Sequence, residues 1–198
     1  MRLSKRLFDL FWTLAGLCLL WPIFLLIALL IRLDDGGPVF FRQERVGHKG
    51  KPFHIWKFRT MVVDAEKLGM PITIGRDPRI TSVGSWFRKY KLDELPQLLN
   101  VLTGEMSLVG PRPEVPDYVA LYTPEQRAVL ELRPGITDPA SIQYKNENEL
   151  LAQAPDPERA YVQEIAPEKI RLNLEYAAQA TIGSDFAIIL RTLAGGLA

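Results

Sequence analysis

Residues 10–31 read LFWTLAGLCLLWPIFLLIALLI, 22 consecutive residues without a charge. As a straight helix such a run is about 33 Å long, enough to cross a hydrocarbon core of about 30 Å. It is too long for the apolar part of a cleaved leader, and no small-x-small site follows it, so the segment is expected to stay in lipid. Pro22 sits near the middle, where it removes a backbone donor and crowds the carbonyl of Cys18. The arms on either side, 10–21 and 23–31, each suffice for one leaflet. Arg2, Lys5 and Arg6 precede the run, and Arg32, Arg42, Arg45, Lys49 and Lys51 follow it. A spanning helix would leave one basic cluster on the outer face, against the positive-inside tendency. A hairpin that enters and leaves through one face satisfies both clusters. Prolines also occur in ordinary spanning helices, so the pattern alone leaves both readings open.

The 198 residues suffice for one compact domain together with that segment. With 47% hydrophobic and 24% charged residues, the chain is neither disordered nor collagen-like. One cysteine excludes an internal disulfide, and two histidines, His48 and His54, are too few to complete a Cys/His metal cluster. Any metal must be held mainly by oxygen. The net charge of +1 hides an asymmetry: residues 1–112 carry 17 Lys and Arg against 10 Asp and Glu, and residues 113–198 carry 7 against 13. A cationic half beside an apolar anchor suits phosphate-bearing partners, either lipid headgroups or a phosphorylated substrate. Nucleic acid is not expected, because the cations adjoin the anchor and do not interleave with aromatics.

After the turn formers at 34–38, the aromatic stretches 39–41 and 53–60, joined through 47–52, predict a small hairpin over 38–61. Lys57 and Arg59 then share one face by the period of two. A short helix is expected at 61–69 and a loop at 75–79. Leu92, Leu95, Leu98, Leu99 and Leu102 form an apolar stripe at helical spacing. Thr123-Pro124-Glu125 starts a helix that Arg133-Pro134-Gly135 closes, and Pro167 opens another that runs to about residue 181. Ser184 or Asp185 caps a last helix over 186–194, whose apolar set suits core packing or a position in the membrane surface. The bulk reads as one α-rich domain with a minor β element, continuous with its anchor.

Chemistry concentrates in 86–97, WFRKYKLDELPQ. Pro96 is comfortable only in the first turn of a helix, which puts Asp93 at about the N-cap and Glu94 at the first helical position. That end of a helix favours ionised carboxylates and also attracts phosphate. Two readings stay open: the pair starts a helix and Arg88, Lys89 and Lys91 neutralise it, or the same groups hold a divalent metal and a phosphorylated ligand. Arg112, between Pro111 and Pro113, is stiff on both sides, which suits bidentate phosphate binding or an exposed structural turn. Arg133-Pro134-Gly135 repeats that theme. Glu147-Asn148-Glu149 reads as a solvated face. No GxSxG elbow, GxxxxGK[ST] or GxGxxG is present, and a thiolate at Cys18 would be costly in the apolar run. Carboxylate chemistry is the remaining nucleophile option.

Four motifs stand in order: Lys57-Phe58-Arg59-Thr60-Met61, Leu92-Asp93-Glu94-Leu95-Pro96-Gln97, Gly110-Pro111-Arg112-Pro113 and Arg133-Pro134-Gly135-Ile136-Thr137. Behind an apolar segment interrupted by proline, they resemble the bacterial sugar transferases, the monotopic phosphoglycosyl transferases, over essentially the whole chain. The resemblance implies transfer of a sugar 1-phosphate from a UDP-sugar to polyprenyl (undecaprenyl) phosphate, with release of UMP, through a covalent aspartyl-phosphosugar and with Mg2+. It implies Asp93 as the nucleophile and Glu94 as its acidic neighbour, both at the metal. Lys57, Arg59, Arg88, Arg112 and Arg133 would be phosphate-binding cations.

It further implies a re-entrant anchor at the bacterial inner (cytoplasmic) membrane, with the catalytic domain on the cytoplasmic face. The fold class expected is thus α-rich α+β. A proline-broken re-entrant membrane helix occupies 1–34, and a catalytic domain with short interfacial helices and a small β-hairpin occupies 35–198. Membrane lipid is an expected partner, and a homodimer is left open. Two departures from the family pattern stand out: Trp21 before the central proline, and Asp138-Pro139-Ala140 where many members continue with Gly. Neither the sugar nor the polymer is legible. A membrane-anchored metal-dependent phosphoester hydrolase and a non-enzymatic membrane scaffold are the alternative functions.

Overall fold

The computed structural model describes residues 2–65 and 77–196. The apolar run lies in a single helix, α1 (Leu3–Asp35), which contains Pro22 and is continuous across it. Among the described residues it alone is long and apolar enough to cross a membrane. Gly36 ends it in the left-handed region, its N–H returning to the carbonyl of Arg32. The middle of α1 is exposed at Leu19, Trp21, Leu25 and Leu26, whereas both ends are tied to the rest of the chain. Near the N-terminus, fully buried Asp9 accepts from the Ser107 hydroxyl at 2.8 Å, and Lys5 meets Asp185 at 2.7 Å. At the C-terminus, Asp35 receives both prongs of the Arg59 guanidinium, whose Nε donates to the Pro38 carbonyl at 2.6 Å.

The aromatic stretches pair as expected. β1 (Phe40–Val46) and β2 (Pro52–Phe58) form an antiparallel hairpin in which Phe41 faces Lys57 and Arg45 faces Phe53. Phe58 packs with Phe24, Ile27 and Ile31 of α1 and with Phe87, which seats the hairpin on the C-terminal arm of α1. Phe53 and Ile55 join a second cluster, with Leu98, Val101, Met106 and Ile188, against Phe8, Leu17 and Leu20. A third cluster, built on Val115, Tyr118, Leu151, Tyr161 and Ile165, includes no residue of α1.

The expected helix at 61–69 is corrected over 61–65, where Met61 bridges Ile80 and the chain turns at 63–64 instead of winding into an α-helix; 66–69 lie outside the described residues. Of the expected loop at 75–79, residues 77–79 are described and turn there. α2 (Ser82–Lys89) is capped by Thr81, whose hydroxyl accepts from the N–H of Gly84 at 3.0 Å. α2 lies so close to Thr60 that a Cβ on Gly84 would stand 2.2 Å from the Thr60 carbonyl oxygen.

The leucine stripe is corrected by the structure. Leu92–Gln97 is a 3-10 segment, and α3 proper runs Leu98–Thr103. Tighter winding changes the buried face, so Asn100 and Val101 are fully buried while Leu102 is 38% exposed. β3 (Ser107–Val109) and β4 (Gly135–Thr137) form a short parallel pair that sequence reasoning missed. Between them lies α4 (Pro116–Ala120). Thr123 caps as expected, accepting from the N–H of Gln126 at 3.3 Å, but a 3-10 segment, Gln126–Glu131, follows it. α5 (Pro139–Gln143), α6 (Glu147–Gln153) and α7 (Pro157–Ala160) lead through a π turn, Tyr161–Ile165, into α8 (Ala166–Gln179). The last helix, α9 (Ile182–Gly196), is capped by Thr181 rather than by Ser184 or Asp185. That leaves Asp185 free to take Lys5 and the Tyr176 hydroxyl, the latter at 2.6 Å. α9 buries Ile188 and exposes Phe186, Leu190 and Leu193, with Phe186 5.6 Å from Trp12 of α1.

The Gly84 contact yields a test. Gly84→Ala forces α2 off Thr60 and should cost about 2 kcal/mol of stability, measured by thermal unfolding in detergent. An unchanged midpoint would mean the contact is looser than described.

Candidate active site

A cleft of about 670 Å³ opens beside the hairpin, lined by β1, the end of β2, residues 60–65, the 3-10 segment, the turn at 112–115 and the start of α6. Asp93 and Glu94 reach it from the 3-10 segment. The chain enters that segment through Lys91 in the left-handed region at φ 57°, and no side chain caps it. The expectation that Asp93 is an N-cap is therefore corrected: both acids sit inside the first 3-10 turn, and neither satisfies a helix terminus.

Glu94 is held from two sides. Its Oε1 accepts from the Lys57 ammonium at 2.9 Å, and its two oxygens together receive the Arg112 guanidinium, with one bond at 3.0 Å and a shorter one beside it. Burial pushes the Glu94 carboxyl up, but Arg112 and Lys57 overcome this and hold it well below the ordinary glutamate range. Glu94 in return pushes the Arg112 pKa up, while burial pulls Lys57 down. Asp93 is as buried, yet among the described residues it has no hydrogen bond or ion pair of its own. Burial, and next the charge of Glu94, raise its carboxyl above the usual aspartate value, against the pull of Lys57, Arg88 and Arg112. The site thus holds one clamped carboxylate and one open carboxyl side by side.

Arg88 comes from α2, its Nε donating to the Thr60 hydroxyl at 2.9 Å; burial pushes its pKa down and the Asp93 charge pushes it up. Arg112 owes its place to backbone packing. The Gly110 N–H donates to Thr137 at 3.0 Å, the Gly135 N–H to Pro111 at 3.0 Å, and a Cβ on Gly110 would be 2.3 Å from the Arg133 carbonyl. The Arg133-Pro134-Gly135 motif therefore supports the turn that carries Arg112. The Arg133 side chain itself does not line the cleft. Arg59 lines it, with its guanidinium engaged by Asp35 and Pro38. Asp138 caps α5 by accepting from the Ser141 N–H at 2.9 Å and receives the Asn173 amide of α8 at 3.1 Å.

Sequence reasoning missed the far side of the cleft. Glu114 accepts from Arg45 at 3.3 Å and from the Tyr161 hydroxyl, while Arg45 also donates to the Pro113 carbonyl at 3.2 Å. Glu147, expected on a solvated face, pairs with Lys169 at 2.6 Å on the cleft wall. The period of two along β1 would have placed Arg45 with Phe41 and Gln43, but nothing local marks Glu114 or Tyr161.

No group of three or more Asp, Glu, His or Cys fit to hold a metal forms among the described residues. Magnesium needs only one or two protein carboxylates when phosphates and water complete its shell. Asp93 has free oxygens for that, whereas those of Glu94 are engaged. The donor set fits a phosphate-borne magnesium rather than a resident one.

A family model described as bacterial sugar transferase matches residues 1–198. The sugar transferase EpsL of Bacillus subtilis is 47% identical over 142 residues, 72% of this chain and 69% of that protein. The UDP-glucose:undecaprenyl-phosphate glucose-1-phosphate transferase of Escherichia coli is 36% identical over 204 residues, 98% of this chain and 40% of that protein. The undecaprenyl-phosphate glucose phosphotransferase of Komagataeibacter xylinus is 39% identical over 198 residues, 96% of this chain and 35% of that protein.

The two acids should respond oppositely to neutralisation. Asp93 has a raised pKa, so its contribution to stability is present below the unfolded value near 3.8 and lost as pH rises through the folded one. At neutral pH its charge is a burden, and Asp93→Asn should leave the melting midpoint equal or higher. Glu94 has a lowered pKa, so its contribution is present above the unfolded value and lost as pH falls through the folded one. Glu94→Gln strands Lys57 and Arg112 and should cost about 3 kcal/mol. A lower midpoint for Asp93→Asn than for Glu94→Gln, in one detergent at neutral pH, would contradict this assignment.

Proposed function

The chain belongs to the bacterial sugar transferase family, and on that footing we propose that it transfers a sugar 1-phosphate from a UDP-sugar to polyprenyl phosphate, with Asp93 as nucleophile. The observation that supports this most is the open Asp93 carboxyl beside the clamped Glu94, facing a cleft edged by Lys57, Arg88 and Arg112. Donor and acceptor are both anionic, and direct attack would bring like charges together. A covalent route presents one anion at a time.

In the first step a carboxylate oxygen of Asp93 attacks the phosphorus that bears the sugar. The bond to the bridging oxygen breaks, and UMP leaves with that electron pair. In the second step an oxygen of polyprenyl phosphate attacks the same phosphorus and displaces the Asp93 carboxylate, giving the polyprenyl diphosphate sugar. Arg88 and Arg112 offset charge on the transferring phosphoryl group. Lys57 and Arg112 keep Glu94 ionised; burial, and next that neighbouring anion, raise the Asp93 carboxyl, so the nucleophile needs pH above the ordinary aspartate range. Asp93, together with the donor's phosphates, would hold magnesium, which would supply further neutralisation of phosphate charge.

The anchor, 1–34, enters and leaves through the cytoplasmic face of the bacterial inner membrane, and the catalytic domain, 35–198, lies on that face. In support, Lys5 and Asp9 at one end of α1 and Asp35 at the other all bond to the same domain. A spanning helix would separate its ends by about 30 Å of hydrocarbon.

Purified protein mixed with labelled UDP-sugar and no acceptor should release one UMP per chain and retain the label. Added polyprenyl phosphate should then move the label to lipid. Asp93→Asn should lower both steps by about a thousandfold or more. Full transfer by that variant would remove the mechanism, and release of free sugar phosphate without acceptor would indicate a hydrolase.

A further inference from the structure

The walls of the cleft differ in chemistry, and the change can be followed along one strand. Phe41, Gln43 and Arg45 line the cleft from alternate positions of β1. They span about 13 Å at a strand rise of about 3.3 Å per residue. Phe41 stands opposite Lys57, whose ammonium meets Glu94, so this end is level with the two acids. Arg45 stands at the other end with Glu114 and Tyr161.

Around the Phe41 end the lining includes the exposed apolar side chains of Phe40, Val62 and Val63, the last 54% accessible, beside charged groups such as Arg59 and Arg88. Phe40 stacks on Phe58, which packs on Phe24, Ile27 and Ile31 of α1. The apolar wall is therefore continuous with the membrane helix. At the Arg45 end the wall includes Tyr144, Lys145 and Asn148, whose side-chain polar groups have no partner among the described residues. That end is backed by the Val115 and Tyr161 cluster, which includes no residue of α1.

We propose that the two walls divide the two substrates: the isoprenoid segment next to the acceptor phosphate lies along Phe40, Val62 and Val63, and Tyr144, Lys145 and Asn148 read the sugar of the donor. This rests on the transfer reading above. A covalent route needs such a division, because after UMP leaves the sugar stays bonded through phosphate to Asp93. It keeps its place while the acceptor approaches the phosphorus in line from another side. Sugar hydroxyls find free donors and acceptors at the polar end, and a hydrocarbon chain arriving from the bilayer finds apolar surface at the end joined to α1.

The test is steady-state kinetics of the full chain in detergent micelles, varying UDP-sugar and undecaprenyl phosphate separately. The double variant Val62→Ser/Val63→Ser should raise KM for undecaprenyl phosphate about tenfold and change KM for UDP-sugar by less than about twofold. Lys145→Gln/Asn148→Ala should do the reverse and shift the kcat/KM ratio between two UDP-sugars by about fivefold or more. These positions are exposed, and Val63→Ala alone provides a milder variant if the double one unfolds. Both pairs acting on the same constant would overturn the proposal. So would a valine pair that weakens vesicle flotation but leaves KM in micelles unchanged, because that wall would then touch only bulk lipid. A parent enzyme with no UMP release before acceptor is added would remove the covalent route, while the split in KM would still report on the walls.

Discussion

The Glu94 carboxylate, bound on one side by Lys57 and on the other by Arg112, is the constraint around which the site is arranged. The buried Glu94 charge would be costly alone, and the half-buried Lys57 and Arg112 satisfy it. Because the clamp consumes both oxygens of Glu94, the neighbouring Asp93 is left with its carboxyl open to the cleft, inside the field of Lys57, Arg88 and Arg112. Adjacent residues of the same chemical type thereby come to hold different states. One is a fixed anion, and the other is an acid of raised pKa with room to react.

Each partner in the clamp is delivered by a different part of the fold. Lys57 comes from a hairpin seated on the C-terminal arm of α1 through Phe58. Arg112 comes from a turn held by the β3–β4 pair in front and by Arg45 behind. The acids come from a 3-10 segment entered through a left-handed Lys91. The apolar helix α1 is bonded to this body at both ends, by Lys5 and Asp9 and by Asp35, so the position of α1 and that of the clamp are mechanically linked.

Much of this was legible in the residues and some was not, for identifiable reasons. The long apolar helix and the hairpin follow from an unbroken apolar run and from aromatic β-formers around a glycine turn, both strong local signals. The motifs around Asp93, Arg112 and Lys57 were found, but capping and site readings could not be separated, because cations beside two acids serve both. The structure removes only the capping role: no side chain caps the 3-10 segment. Three-residue strands such as Ser107–Val109 are too short to show a period, and a change from 3.6 to 3.0 residues per turn rotates a stripe that sequence spacing takes as fixed. Arg133 was read through its side chain, whereas its carbonyl, packed on Gly110, is what bears on the site. Glu114 and Tyr161 meet across 47 positions, a pairing that no local pattern encodes.

The stereochemical course at phosphorus tests the central claim most directly. A donor made chiral with oxygen isotopes at the sugar-bearing phosphorus is converted to the lipid-linked product, and its configuration is read by phosphorus NMR. Two successive in-line displacements, the first by an oxygen of Asp93, predict retention. Inversion would mean that the acceptor attacks the donor directly and that the open carboxyl never bonds to phosphorus.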